Sequence, residues 1–187
     1  QTGTLNINDS VNIVGTVDGV GNPTSIITWG TLTSGNSVDM VMAVNEDLPS
    51  ATVPTTTTAS ASISNVIIEN GVNHGAHGND GDGGCMEFDT GTNGTATLTL
   101  TNVILQNCAT TQGGGGGLVI FNFVHPAGLG SATISNSTIQ GNSAVDNPSS
   151  GPGGGIAISN DGLMAMSNSK VLNNNATQVI SGQDGQG

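Results

Sequence analysis

The chain has 187 residues, with thirteen acidic side chains against one Lys, a formal charge of −12 and 30 glycines. So few cations cannot neutralise a phosphate backbone or be drawn to an anionic bilayer, which excludes nucleic-acid binding; no apolar run of about eighteen residues is present, which excludes helical insertion into a membrane. The length suits one continuous core, and solubility rests on Ser, Thr and Asn more than on charge, as in a secreted or cell-surface protein.

The chain opens on Gln1 without Met, as a processed N-terminus or a fragment would. Residues 4–14, TLNINDSVNIV, alternate Leu5, Ile7, Val11 and Ile13 with polar positions, so they predict strand, either a first coil or a strand given to another chain. SVDMVMAV (37–44) belongs to the same irregular start, and VPTTTTASAS (53–62) is an extended loop whose Thr hydroxyls are candidates for O-glycosylation. Residues 1–62 are therefore expected to form irregular N-terminal coils or a cap with a Thr-rich loop, and 63–187 a set of regular repeats within one continuous domain.

The repeat is ISNVIIENG at 63–71, TLTNVILQNCAT at 99–110, TISNSTIQGNSA at 133–144 and MSNSKVLNNNAT at 166–177, at intervals of about 32 to 37 residues. Glycine runs GGCMEF (83–88), GGGLVIF (115–121) and GGGIAI (153–158) recur in phase with it. Alternation with period two means strands, and a repeat of this length with one turn per unit means a solenoid whose units bury their apolar faces against each other. Met86, Leu118 and Ile156, then Phe88, Ile120 and Ile158, are predicted to point inward, with Glu87, Val119 and Ala157 outward. Ile68, Leu105 (or Ile104), Ile139 and Val171 should line a second wall, and Asn70, Asn107, Asn142 and Asn174 should stack at one turn as a structural ladder, since Asn tolerates left-handed backbone there.

Asn-x-Ala, then a loop, then Gly-Gly-Gly-[Ile/Leu], as in NCATTQGGGGGLVIF and NSAVDNPSSGPGGGIAI, resembles the repeats of polymorphic-outer-membrane-protein-type and related bacterial surface proteins. The resemblance covers 63–187 and runs more loosely through 1–62. It implies an all-β, right-handed parallel β-helix of roughly five coils, exported, with an adhesive or structural role. The family's usual Phe three residues before the repeat Asn is Ile67, Ile104, Ile139 or Val171 here, so the fold carries over and a particular adhesive activity does not.

Few constellations carry chemistry. HGAHGNDGDGG (74–84) gathers His74, His77, Asp80 and Asp82 among glycines; it either holds a divalent cation, with carboxylates suiting a hard ion and imidazoles a transition metal, or is a solvated polar loop. Cys85 replaces the third Gly of its run and Cys108 follows a repeat Asn one coil later, so the two either form a disulfide or pack as thiols. Asn8, Asn93, Asn136 and Asn175 head Asn-x-Ser/Thr sequons and are glycosylation candidates in a pathway that uses them. A lyase of the β-helix kind needs Arg or Lys, and only Lys170 is present; a hydrolase needs two carboxylates over a sugar cleft, and Glu87 and Asp89, two apart on one strand, are expected to be solvated outward acids. His74, His77 and His125 sit in no nucleophile motif, and the glycine runs lack the Lys-Ser/Thr of a phosphate loop, so the chain is not expected to be an enzyme. TATLTLT (95–101) puts Thr on one side of a strand, as an ice-binding face would, but the other blocks do not repeat that Thr.

The last glycine run, GQDGQG, finishes at Gly187, where the next inward strand is due. Either the polypeptide continues or another chain supplies that strand, and a non-closing end-to-end contact of this kind makes a linear polymer. The leading expectation is an extracellular filament subunit that self-associates head to tail; the alternatives are a surface adhesin for a receptor or glycan and, less favoured, a carbohydrate-active enzyme.

Overall fold

The computed structural model describes residues 4–28, 40–45, 59–73, 83–90, 95–111, 114–121, 130–146, 153–159 and 162–178. Every regular element among them is a strand. The first coil holds β1 (Leu5–Ile7), β2 (Val11–Val14) and β3 (Ser25–Thr28). The second holds β4 (Met42–Val44), β5 (Ala61–Ser64), β6 (Val66–Glu69) and β7 (Val72–Asn73). The third holds β8 (Met86–Asp89), β9 (Thr97–Thr101), β10 (Ile104–Gln106) and β11 (Ala109–Thr110). The fourth holds β12 (Leu118–Phe121), β13 (Ser131–Ser135), β14 (Thr138–Gln140) and β15 (Ser143–Asp146). The fifth holds β16 (Ile156–Ser159), β17 (Leu163–Ser167), β18 (Lys170–Leu172) and β19 (Asn175–Gln178).

Equivalent strands of successive coils pair in parallel and build four walls: β1-β4-β8-β12-β16, β2-β5-β9-β13-β17, β3-β6-β10-β14-β18 and β7-β11-β15-β19. This is a parallel β-helix of about five coils, in which the first coil, among the described residues, contributes to three walls.

In the second to fifth coils two corners are made by single left-handed residues. Between the second and third walls stand Asn65, Asn102, Asn136 and Asn168, with φ between 49° and 58°. Between the third and fourth stand Asn70, Asn107, Gly141 and Asn173, with φ between 54° and 63°. A left-handed residue turns the chain sharply, and Asn bears that conformation because its short amide bonds locally. In the first coil residues 15–24 connect β2 to β3 instead, and Gly15, stacked on Asn65, is held small because a Cβ there would lie 2.2 Å from the Asn65 carbonyl oxygen. The glycine runs have a similar cause: a Cβ on Gly84, Gly116 or Gly154 would come within 2.6 Å of the backbone of the fourth wall.

The inward face is a set of ladders. Met42, Met86 and Leu118 stack in register, as do Val44, Phe88 and Ile120 in the same wall, and all are buried. Ile63, Leu100 and Ile134 stack in the second wall, and Ile68, Leu105 and Ile139 in the third, which assigns the inward position to Leu105 and turns Ile104 outward. Each such side chain contributes roughly 1.5–3 kcal/mol on leaving water. Ile156 is only partly buried and Ile158 is exposed, because the fifth coil has a neighbour on one side alone among the described residues.

The outer face of the first wall departs from expectation. Glu87 and Val119 do point away from the core, yet both are buried, as are Ala43 and Asp89. Alternation fixes which face a side chain takes; it does not say whether that face is covered.

Candidate functional site

The stacked asparagines form two structures, not one ladder. Gln106 pairs with Gln140 and Gln140 with Leu172, so the residue stacked under the Asn107 corner is Gly141, followed by Asn173. Asn142 and Asn174 lie one position further on, under Cys108, and point inside. Oδ1 of Asn142 accepts from the Cys108 N–H at 3.0 Å, while its Nδ2 donates to the Leu105 carbonyl at 3.1 Å and to Asn174 Oδ1 at 3.0 Å. Asn174 repeats the scheme, accepting from the Asn142 N–H at 3.0 Å and donating to the Ile139 carbonyl at 2.9 Å. These amides satisfy backbone groups that the turn from the third to the fourth wall would leave orphaned in the interior.

Cys85 and Cys108 form a disulfide inside the third coil, with Cα atoms 5.2 Å apart and both residues buried. Its place in the stack is informative. Cys85 is stacked with Gly117 and Gly155, and Cys108 with Asn142 and Asn174. In the fourth and fifth coils the Gly is packed against the Asn amide: a Cβ on Gly117 would meet Asn142 Nδ2 at 2.9 Å, and one on Gly155 would meet Asn174 Nδ2 at 2.8 Å. The disulfide thus fills the volume that a Gly and Asn pair fills in the next two coils, and Cys108 Sγ accepts from the Gly71 N–H at 3.3 Å as an amide oxygen does elsewhere. A further buried amide, Asn45, was not singled out in the sequence. It donates to the Ala59 and Asp89 carbonyls at 2.7 and 3.0 Å and accepts from the Ala59 N–H at 2.7 Å, tying Ala59 to its own coil and to the next.

His74, His77, Asp80 and Asp82 lie outside the described residues, as does Asn93. Among the described residues no three His, Cys, Asp or Glu side chains converge as metal ligands, and no helix is long and apolar enough to cross a membrane. Asn8, Asn136 and Asn175 are exposed. The amide of Asn175 donates to Thr177, the Thr of its own sequon, at 3.2 Å. Glu87 and Asp89, expected to be solvated, are 6% and 5% exposed, since the outer face of their wall is covered.

The outer face of the second wall is a regular polar surface. In the third coil it presents Thr97, Thr99 and Thr101; the register places Ser60, Ser62 and Ser64 on one side and Ser131, Thr133 and Ser135 on the other. The Thr alternation of 95–101 is not repeated as such: the second and fourth coils carry mostly Ser in the same columns, and the fifth puts Leu163 and Ala165 there. All nine positions carry a hydroxyl, in rows ~4.8 Å apart with ~6.6 Å between alternate residues. The first coil adds Ser10 and Asn12. A shallow open depression of about 310 Å³ lies here, with Ser10, Asn12, Ser60, Ser62, Thr97 and Thr99 as its polar lining.

Ser10 and Ser60 accept from the backbone N–H of Ser60 and Thr97, at 3.1 and 3.0 Å, and Ser135 donates to Thr101 at 3.3 Å. Among the described residues, the side chains of Asn12, Ser62, Thr99 and Thr133 in the middle column have no hydrogen-bond partner, and neither do those of Thr97, Ser131 and Ser64 beside them. No protein-family profile, curated protein or solved structure matches the chain. The geometry alone therefore argues for its use.

Proposed function

We propose that the chain is an exported structural β-helix, a filament subunit that elongates by stacking the first coil of one copy on the fifth coil of the next. One observation carries the reading. Among the described residues, Leu5 of the first coil and Ile158 and Val171 of the fifth are inward positions left exposed for want of a next coil; the other exposed large apolar side chains, Val14, Val17, Val20, Ile26, Leu163 and Leu172, belong to the same two coils, and the second to fourth coils expose none. Unpaired parallel edges with apolar side chains invite another strand. The two edges also match, because β1, β2 and β3 belong to the same three walls as β16, β17 and β18. Stacking them repeats a coil-to-coil contact that the chain already makes four times. The contact is heterologous and does not close, so it propagates.

Export is supported by the internal disulfide, which suits an oxidising compartment, and by the resemblance of the repeats to bacterial surface proteins of the polymorphic-outer-membrane-protein type. Sedimentation velocity and electron micrographs of the purified chain test the assembly: linear particles that lengthen with concentration are expected. Val171→Asp places a charge on the open edge of β18 and should leave folded monomers. A chain that stays monomeric at high concentration, or a Val171→Asp variant that polymerises like the parent, overturns the filament reading and favours a surface module that binds through its outer faces.

A further inference from the structure

We propose that Ser25 of one copy sets the register of end-to-end stacking, its hydroxyl accepting a hydrogen bond from the Ser169 N–H of the copy before it. The contact presupposes the filament and fixes how its subunits align. A hydroxyl ladder runs along the corner between the second and third walls. Ser137 and Ser169, each following a corner Asn, donate to the Ser135 and Ser167 carbonyls at 2.8 Å and accept from the N–H one coil earlier, that of Val103 and of Ser137, at 3.0 Å. Each hydroxyl thus serves the coil before its own. The Ser169 N–H has no partner among the described residues, and the ladder would supply one from a coil laid on the fifth.

The register brings Ser25 to that place. Ser25 stacks on Val66, and the same column continues through Val103 and Ser137 to Ser169. The second and third coils fill it with buried Val, so a hydroxyl returns only in the two coils before the junction and in the one after it. Within a single chain the ladder cannot use Ser25, because no coil precedes the first. Its Oγ accepts from the Thr16 N–H at 2.9 Å and shares a hydrogen bond with Thr16 Oγ1 at 3.1 Å, and a hydroxyl oxygen has a second lone pair with which to accept.

The core selects the same alignment. It sets Leu5 on Ile156, Ile13 on Met166 and Ile27 on Val171, continuing three inward ladders. A slip of one residue would turn Asn6 and Asn12 onto the core, and a slip of two would set Ile13 over the Asn168 corner. The β2–β3 connection lies away from the edge to be covered: the Gly21 carbonyl accepts from the Asn102 side chain at 3.0 Å, which holds the connection toward the third coil.

The test is made on polymers of the full chain. Val14 and Ser167 belong to one exposed outer column, so stacked copies would bring them ~4.8 Å apart, within reach of a disulfide. Mixed Val14→Cys and Ser167→Cys chains, mildly oxidised after assembly and mapped by mass spectrometry, should be joined at these positions; Val14→Cys with Ala165→Cys, two residues out of register, should not. Ser25→Ala should raise the concentration at which half the chains are polymeric about tenfold, with the melting temperature of dilute monomer nearly unchanged because Thr16 is exposed to water. Ser25→Thr keeps the hydroxyl and should assemble like the parent. Polymers without the 14–167 link, or joined at 165 instead, overturn this register and leave the filament standing. So does a Ser25→Ala chain that assembles like the parent, or a Ser25→Thr chain that assembles as poorly as Ser25→Ala. Absence of any polymer overturns both.

Discussion

At the residue scale, the disulfide and the internal amides are alternative fillings of one site. Cys85 with Cys108 occupies the space that Gly117 with Asn142 and Gly155 with Asn174 occupy one and two coils on. Reduction should cost about 3 kcal/mol, the loop-closure term for a separation of 23 residues. Cys108→Asn alone sets an amide against the Cys85 side chain where its neighbours have only a glycine, and overpacking of that kind costs roughly 1–3 kcal/mol beyond the lost bond. The double substitution Cys85→Gly with Cys108→Asn restores the pattern of the fourth coil. It should be more stable than Cys108→Asn alone, and its denaturant midpoint should not respond to reductant. A double variant no better than the single one would show that the sites are not equivalent.

Asn142 and Asn136 give a contrast at the same scale. Asn142→Ala strands the Leu105 carbonyl and the Cys108 N–H inside the core, and a loss of roughly 2–4 kcal/mol in urea unfolding is expected. Asn136 is an exposed corner with φ of 51°, so Asn136→Ala should cost about 1 kcal/mol and Asn136→Gly almost nothing. The sequence obscured this division because both places accept Asn. The corner needs a residue that tolerates positive φ, which Asn107, Gly141 and Asn173 all do; the interior needs an amide, which Asn142 and Asn174 supply. Matching Asn to Asn by eye slides the two sets past each other by one residue.

At the scale of the strand, alternation made the inward faces legible. Met86, Leu118, Phe88 and Ile120 take the buried positions that period two gives them, and the glycine runs mark where the first wall approaches the fourth. Leu118→Asp therefore puts a charge in the middle of a ladder with a coil on either side and should unfold the protein, a loss of about 4 kcal/mol or more in CD-monitored melting. Val171 is an inward position of the last coil and is half-exposed, so Val171→Asp should cost only about 1 kcal/mol. What alternation could not supply was the neighbour across the sheet. The burial of Glu87 and Asp89 depends on what covers the first wall, and the hydroxyl grid depends on a register between coils of unequal length.

The β2–β3 connection adds a pH-dependent element. Asp18 accepts from the Val20 and Asn22 N–H groups at 3.0 and 2.8 Å and from the Asn22 side chain at 2.9 Å. These bonds, that from the Asn22 side chain foremost, hold its carboxyl below the usual aspartate range. With the folded value below the unfolded one, the loop's support is complete above the ordinary carboxylate range and is lost as pH falls through the lower folded value. The Val20 and Asn22 amides should shift and lose their hydrogen-bond signature only in that acid window, and in Asp18→Asn the transition should vanish.

At the scale of the whole molecule, charge and architecture bear on assembly in opposite directions. A β-helix gains stability from each coil laid on the last, so an end-to-end contact offers backbone pairing across three walls and continued core ladders such as Ile120–Ile158. Two copies each carrying −12 nevertheless repel as they approach, and Lys170 on exposed β18, the one Lys or Arg of the chain, cannot offset that at the fifth-coil edge. Screening should therefore help. Raising the salt from about 10 mM to about 150 mM shortens the Debye length from roughly 30 Å to 8 Å, which weakens the repulsion between whole subunits and leaves short-range pairing and apolar contact intact. Polymers should lengthen with salt, and should lengthen again as the pH is lowered toward the isoelectric point of 4.1 at low salt. An interface held by ion pairs would shorten under the same change. Sedimentation velocity across a salt series separates the two, and polymers that dissolve as salt rises would count against edge-to-edge stacking and for a charged contact elsewhere on the molecule.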